Sequence, residues 1–227
     1  SQNDLHILQK DLETVFQWAK TWDMEFNVTK CAHMCITLKK KPLQHNFSVG
    51  DELVPKEHSC KYLGVIISSD LSWNEHAEYV RGKAARTLGF VRRTLDKWKQ
   101  KVREVAYSTL VRPQLEYATA AWNPYTERNC NILESVQRQA ARFVTQDYSR
   151  FSSVSAMLTT LNWDTLKVRR LLHQTDMFHR IHYNKVNINM PPTIGQLATP
   201  TIKTRSSQIH PLLYQLPYVR VDVYKYS

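Results

Sequence analysis

Lys61-Tyr62-Leu63-Gly64-Val65-Ile66-Ile67, with Leu71-Ser72-Trp73 and His76 after it, is the run around which the chain is read. Cys60, Tyr62, Gly64 and Ile66 alternate with Lys61, Leu63, Val65 and Ile67, and that period of two predicts one strand over 60–67. Both faces are largely apolar, which predicts cover on both sides. Gly64 falls mid-strand, where it weakens the strand unless something needs the room. A bulge, a close backbone crossing, or the approach of another chain or a nucleic acid would each need it. Periodicity does not separate them.

Downstream the pattern turns helical. From Asn74 to Arg112, the residues His76, Val80, Ala84, Leu88 and Val91 recur as a buried face. Arg81, Lys83, Arg86, Arg92 and Arg93 lie mostly off it. A break is expected near Lys97 to Gln100, then a second helix that Pro113 stops, then a shorter one from Leu115 to Trp122. Thr126 caps the next helix, with Leu133, Val136, Ala140, Phe143 and Val144 inward. On it Arg138 and Arg142 stand one turn apart. They can engage neighbouring phosphates, or pair with Glu134 or with carboxylates of another helix. A short helix over Ser152 to Leu161 follows. Asp164 is then expected to cap a helix through Leu166, Leu171, Leu172, Met177, Phe178 and Ile181. His173, His179 and His182 on that helix show no metal-binding spacing. Beyond Asn184, prolines punctuate an irregular tail.

Upstream, residues 3–22 read as an amphipathic helix capped by Asn3 or Asp4. Its stripe is Leu5, Leu8, Leu12, Val15, Phe16 and Ala19, with Trp18 and Trp22 packed. A link from Glu25 to Lys30 leads to a strand from Ala32 to Leu38, ended by Lys39-Lys40-Lys41 and Pro42. Phe47 to Val54 reads as a hairpin turning at Gly50-Asp51. The expected class is α+β, mainly α: a helix with a small antiparallel sheet, then a helical bundle and an irregular tail.

Composition bounds the function. The chain has 227 residues, enough for a real core, and only five glycines. No apolar run reaches membrane-spanning length, and no signal peptide is visible. Net charge is +11. Residues 81–112 hold ten basic residues against Asp96 and Glu104 alone, a concentration that favours contact with phosphates over a merely solvated face. Cys31, Cys35, Cys60 and Cys130 form no disulfide framework, which points to a reducing compartment. Cys31, His33 and Cys35 share one face of a strand, and no second cluster completes a tetrahedral site, so no metal is assigned.

Several motifs, in order, resemble the reverse transcriptases of non-LTR (LINE-type) retrotransposons. Leu8-Gln9-Lys10-Asp11-Leu12, Trp18, Trp22, Met24, Phe26-Asn27, Lys30-Cys31 and Met34 are similar to the palm segment that follows the catalytic carboxylates. The Lys61–Val65 run with Leu71, Trp73 and His76 resembles the primer grip leading into the thumb. Arg112-Pro113, Leu115-Glu116-Tyr117-Ala118, Trp122-Asn123-Pro124, Glu134, Gln137-Arg138, Ala140 to Phe143 and Arg169-Arg170 match the thumb and connector. Thr204-Arg205-Ser206-Ser207 and Val223 to Ser227 resemble the approach to the family's closing motif.

The resemblance implies three parts: the end of the palm with the primer grip over 1–73, a helical thumb over 74–183, and a truncated tail over 184–227. It implies that Tyr62, Leu63 and Gly64 hold the primer 3′ end. It implies that Lys30 is a candidate general acid toward departing pyrophosphate. Arg81, Lys83, Arg86, Arg92, Arg93, Arg138 and Arg142 become the candidate nucleic-acid contacts. The partners implied are an RNA template, a DNA primer and the rest of the polymerase chain, without a membrane, in nucleus or cytoplasm. The parent enzyme would use Mg2+. No aromatic-Ala-Asp-Asp turn occurs in this sequence, so the chain reads as a fragment that starts past that turn, binds no metal and does not polymerise alone. A decayed or domesticated remnant, kept as a basic binding or structural module, is the alternative.

Overall fold

The computed structural model describes residues 2–37 and 44–188. They fall into two compact units, one ending at His76 and one beginning at Ala77. The fold is α+β and mainly helical, as the patterning predicts, and its strands form two small antiparallel hairpins among the described residues. No helix among the described residues is long and apolar enough to cross a membrane.

The first unit opens with helix α1, Gln2–Thr21. Strands β1 (Ser48–Val49) and β2 (Glu52–Leu53) form the hairpin expected over 47–54. Gly50 turns it at φ +61°, and a Cβ there would overlap the Phe16 ring. Val28, Phe47, Val49 and Val54 make a small core against Leu5, Leu12 and Phe16 of α1. The Gln9 amide fastens the helix to the hairpin. It donates to the Ser48 carbonyl at 3.1 Å and accepts from the Ser48 N–H at 3.1 Å.

Ala19 of the expected α1 stripe is buried as well, but Leu8 and Val15 are not covered. Leu8 and Val15 are about half exposed, and Trp18 and Trp22, expected to be packed, are 55% and 66% exposed. The unit's small core covers only the Leu5–Leu12–Phe16 side. The strand expected from Ala32 to Leu38 is reduced to one parallel bridge, His33 to Lys56. Lys39, Lys40, Lys41 and Pro42 lie outside the described residues.

The Lys61 run is not one strand. It is a hairpin of β3 (Ser59–Tyr62) and β4 (Val65–Ser68), with Tyr62 opposite Val65. Leu63 and Gly64 turn it at φ +47° and +86°. Positive φ at both central residues is what a two-residue hairpin needs to match strand twist. Gly64 is therefore a turn residue, not a mid-strand gap. Only β4 is well covered, through Val65 and Ser68.

Helix α2, Asn74–Leu95, buries the predicted face: His76, Val80, Ala84, Leu88 and Val91 are all at most 6% exposed. The break falls where expected. Helix α3 (Gln100–Ala106), however, continues through a π-helical turn (Tyr107–Val111) into α4 (Arg112–Glu116). Pro113 thus does not stop the helix. The wider turn, in which the Arg112 N–H bonds the Tyr107 carbonyl, absorbs the missing proline donor and its ring. The expected helix from Leu115 to Trp122 ends at Glu116.

Helix α5, Glu127–Thr145, is capped by Thr126 as predicted, and α6 (Val154–Thr160) by Ser153. Helix α7, Leu166–His182, is capped by Thr165 rather than Asp164. Of its expected apolar side Leu166 is buried and Met177 and Ile181 half-buried, but Leu171 and Leu172 are mostly exposed while Arg170 is fully buried, donating to the Asn123 side chain at 3.2 Å. Tyr107 stacks on Trp163 at 4.4 Å and donates to Gln137, which in turn donates to the Asp164 carbonyl. That closed network satisfies polar groups in the bundle core. The tail's prolines, and the motifs at 204–207 and 223–227, lie outside the described residues.

Candidate nucleic-acid interface

In the first unit the candidate site is the β3–β4 tip. Tyr62 and Leu63 are 65% and 74% exposed, so an aromatic ring and an isobutyl group project from a tight turn. Leu63 is the unusual residue. A branched side chain at positive φ costs roughly 1–3 kcal/mol, and such strain collects at functional sites.

The hairpin's base is well held. The Ser69 N–H donates to the His58 carbonyl at 2.8 Å. The outward Ile66 N–H donates to Nδ1 of His76, in the first turn of α2, at 3.2 Å. His76 must be neutral to accept that bond. Burial, and then the Lys61 charge, lower its pKa to about 4. Lys30 stays exposed at the end of the 3-10 turn Val28–Lys30.

In the second unit the cations of α2 sort by face. Lys83, Arg86, Arg92 and Arg93 are exposed, and Arg81 is exposed beside Glu78 at 2.9 Å. Gly82, Arg86, Gly89 and Arg93 fall at i, i+4, i+7 and i+11. They line the face opposite Val80, Ala84, Leu88 and Val91. Sequence reading passed over this repeated Gly-x-x-x-Arg, although it is legible as two copies seven residues apart.

Not every basic residue of 81–112 is available to a partner. Arg103 is 5% exposed and donates to the Val144 carbonyl at 2.8 and 3.2 Å and to the Asp96 carbonyl at 3.2 Å. Arg112 faces Glu116, which Arg169 also grips through two nitrogens. Hydrogen bonding to Glu116 raises the Arg169 pKa further. These three guanidinia build the bundle.

Arg138 and Arg142 separate as well. Arg138 is exposed on a wide cleft of about 860 Å³ that also carries Glu127, Glu134 and Lys167, a mixed rather than cationic lining. Arg142 donates to the carbonyls of Asp147, Ser149 and Ser152, so it folds the loop after α5 instead of presenting a charge to phosphate. Asp147 in that loop accepts from the Ser149 N–H at 3.0 Å. Its pKa is lowered by hydrogen bonding to Ser152, then to Ser149, and by the Arg142 charge. Glu134 does not pair with Arg138. It caps α7, accepting the Lys167 N–H at 2.9 Å.

Among the described residues no group of three or more His, Cys, Asp or Glu side chains stands together to hold a metal ion.

No protein-family model matches the chain, and no solved structure matches it. Curated relatives do. The chain is 21% identical over 132 residues to a probable RNA-directed DNA polymerase from transposon X-element of Drosophila melanogaster, covering 57% of this chain and 14% of that protein. It is 23% identical over 142 residues to a probable RNA-directed DNA polymerase from transposon BS of the same species, covering 61% and 16%. It is 24% identical over 139 residues to the RNA-directed DNA polymerase from mobile element jockey of Drosophila funebris, covering 60% and 15%. The matches span only about one seventh of the length of these relatives. By sequence, about 60% of the chain is similar to RNA-directed DNA polymerases of Drosophila mobile elements.

Proposed function

We propose that this chain positions the RNA template and DNA primer of an RNA-directed DNA polymerase. In this reading the exposed Tyr62-Leu63-Gly64 tip bears on the primer end, and α2 meets backbone phosphates along the face turned away from its core. The observation that carries the reading is that segregation. Val80, Ala84, Leu88 and Val91 are buried, while Lys83, Arg86, Arg92 and Arg93 stay exposed on the same helix. A polyanion is the partner such a face attracts.

The divalent ions implied for a complete polymerase find no acidic set among the described residues. The role proposed for this chain is binding and orientation of the primer–template.

Binding of a primer–template duplex to the whole chain, followed across a salt series, tests the reading. Affinity should fall steeply with salt. Replacing Arg86 and Arg93 by Gln should lower the log–log slope by about 1 for each phosphate that is no longer neutralised. Affinity indifferent to salt, or a slope unchanged in the double variant, would remove α2 from the interface.

A further inference from the structure

Two glycines and a tyrosine of the second unit remain without a role. A glycine inside a helix destabilises it relative to alanine. Gly82 and Gly89 bring no internal packing in return. A Cβ at either would meet only the arginine one turn on, at 3.6 Å from Arg86 and 3.5 Å from Arg93. The space they keep clear is on the outside of α2. They lie two turns apart, about 10 Å along the axis, each with an arginine guanidinium folded beside it.

The stripe ends at an open cleft of about 420 Å³ lined by Gly89, Arg92, Arg93, Asp96 and Tyr148. The Tyr148 ring is half exposed, with the Arg92 guanidinium 5.7 Å from its centre. Its placement is built. Gln146 ends α5 in a left-handed turn and donates to the Asp96 carbonyl. Arg142 ties down three carbonyls of the loop carrying Tyr148. Arg103 clamps the end of α5 to the segment that follows α2. The loop is thus pre-organised to hold an aromatic face beside two arginines.

We propose that this cleft is a subsite for an unpaired nucleotide of the template strand. The base stacks on Tyr148, and Arg92 and Arg93 meet its flanking phosphates. Asp96 accepts from a base amine or a sugar hydroxyl. The strand approaches over the notches at Gly82 and Gly89, where the missing side chains let its backbone lie close to the helix. Aromatic stacking with flanking arginines is the chemistry that holds single strands, whereas the bases within a duplex are already stacked and offer an aromatic ring no free face. The inference rests on the nucleic-acid reading of α2 and narrows it.

The test compares the whole chain on three duplexes: blunt, with a short 5′ template overhang, and with the same overhang made abasic. The base-bearing overhang should bind about tenfold tighter than the abasic one. Tyr148→Ala should abolish that advantage and leave blunt-duplex affinity unchanged, while Tyr148→Phe keeps both. Gly82→Ala and Gly89→Ala should each raise Tm by about 2–4 °C yet weaken overhang binding, a split that a purely structural glycine would not produce. Salt-sensitive duplex binding that ignores Tyr148 and tolerates both alanines overturns this inference alone. Binding to none of the three duplexes overturns it together with the reading beneath it.

Discussion

His76 joins the hairpin to the start of α2 through one hydrogen bond, and that bond needs an unprotonated Nδ1. Its pKa is depressed from 6.5 to about 4, so the folded chain resists a proton that the unfolded chain accepts. The contribution is therefore intact above about pH 6.5 and is lost as pH falls toward about 4. Urea midpoints should drop across that window. In His76→Gln, whose amide oxygen can accept the Ile66 N–H without titrating, the drop should be shallower. Equal drops in the two proteins would show that His76 is not the titrating joint. Leu63 shows why one residue's backbone matters as much as its chemistry. Its positive φ projects the side chain into solvent at a place where alternation alone puts it inside a sheet.

At the scale of elements, three helices depend on one arginine. Arg103 stands on α3, pairs with no carboxylate among the described residues, and directs its guanidinium to carbonyls at the end of α5 and beyond the end of α2. Those are the orphan acceptors that helix ends and connecting loops leave. Arg103→Met would keep the stem's packing and strand those oxygens. Urea denaturation should show a loss of about 3 kcal/mol, and a loss below about 1 kcal/mol would mean that the carbonyls find water instead. The α3–α4 rod shows a related balance. A proline that reads as a stop in sequence is carried through by one wider turn, because the buried Tyr107 and Val111 gain more from continuous packing than the missing donor costs.

At the scale of the whole molecule, the proposed role is to bind and orient a primer–template. Nowhere among the 227 residues do two aspartates stand side by side. Purified chain given primer–template, Mg2+ and deoxynucleotides should bind without extending the primer. Extension resolved on a denaturing gel would overturn that expectation. The uncovered apolar side of α1, with Trp18 and Trp22 in solvent, also belongs to this scale, since the first unit's own core is too small to reach it.

Local periodicity was enough for the helices. The α2 core face, the Thr126 cap, the Gly50 turn and the basic run of 81–112 all depend on neighbours within a few residues, and the sequence by itself determined them. What each cation does depends on distant carbonyls and carboxylates. Arg81 and Arg86 remain on the surface, while Arg103 is buried and the half-buried Arg142 donates to loop carbonyls. Composition counts these four as equals. The same holds for the 60–67 run, where a strand with a central glycine and a hairpin turning on that glycine share one alternation pattern. Only the tertiary structure chose between them, because pairing Tyr62 with Val65 and seating Ile66 against His76 requires the chain to fold back.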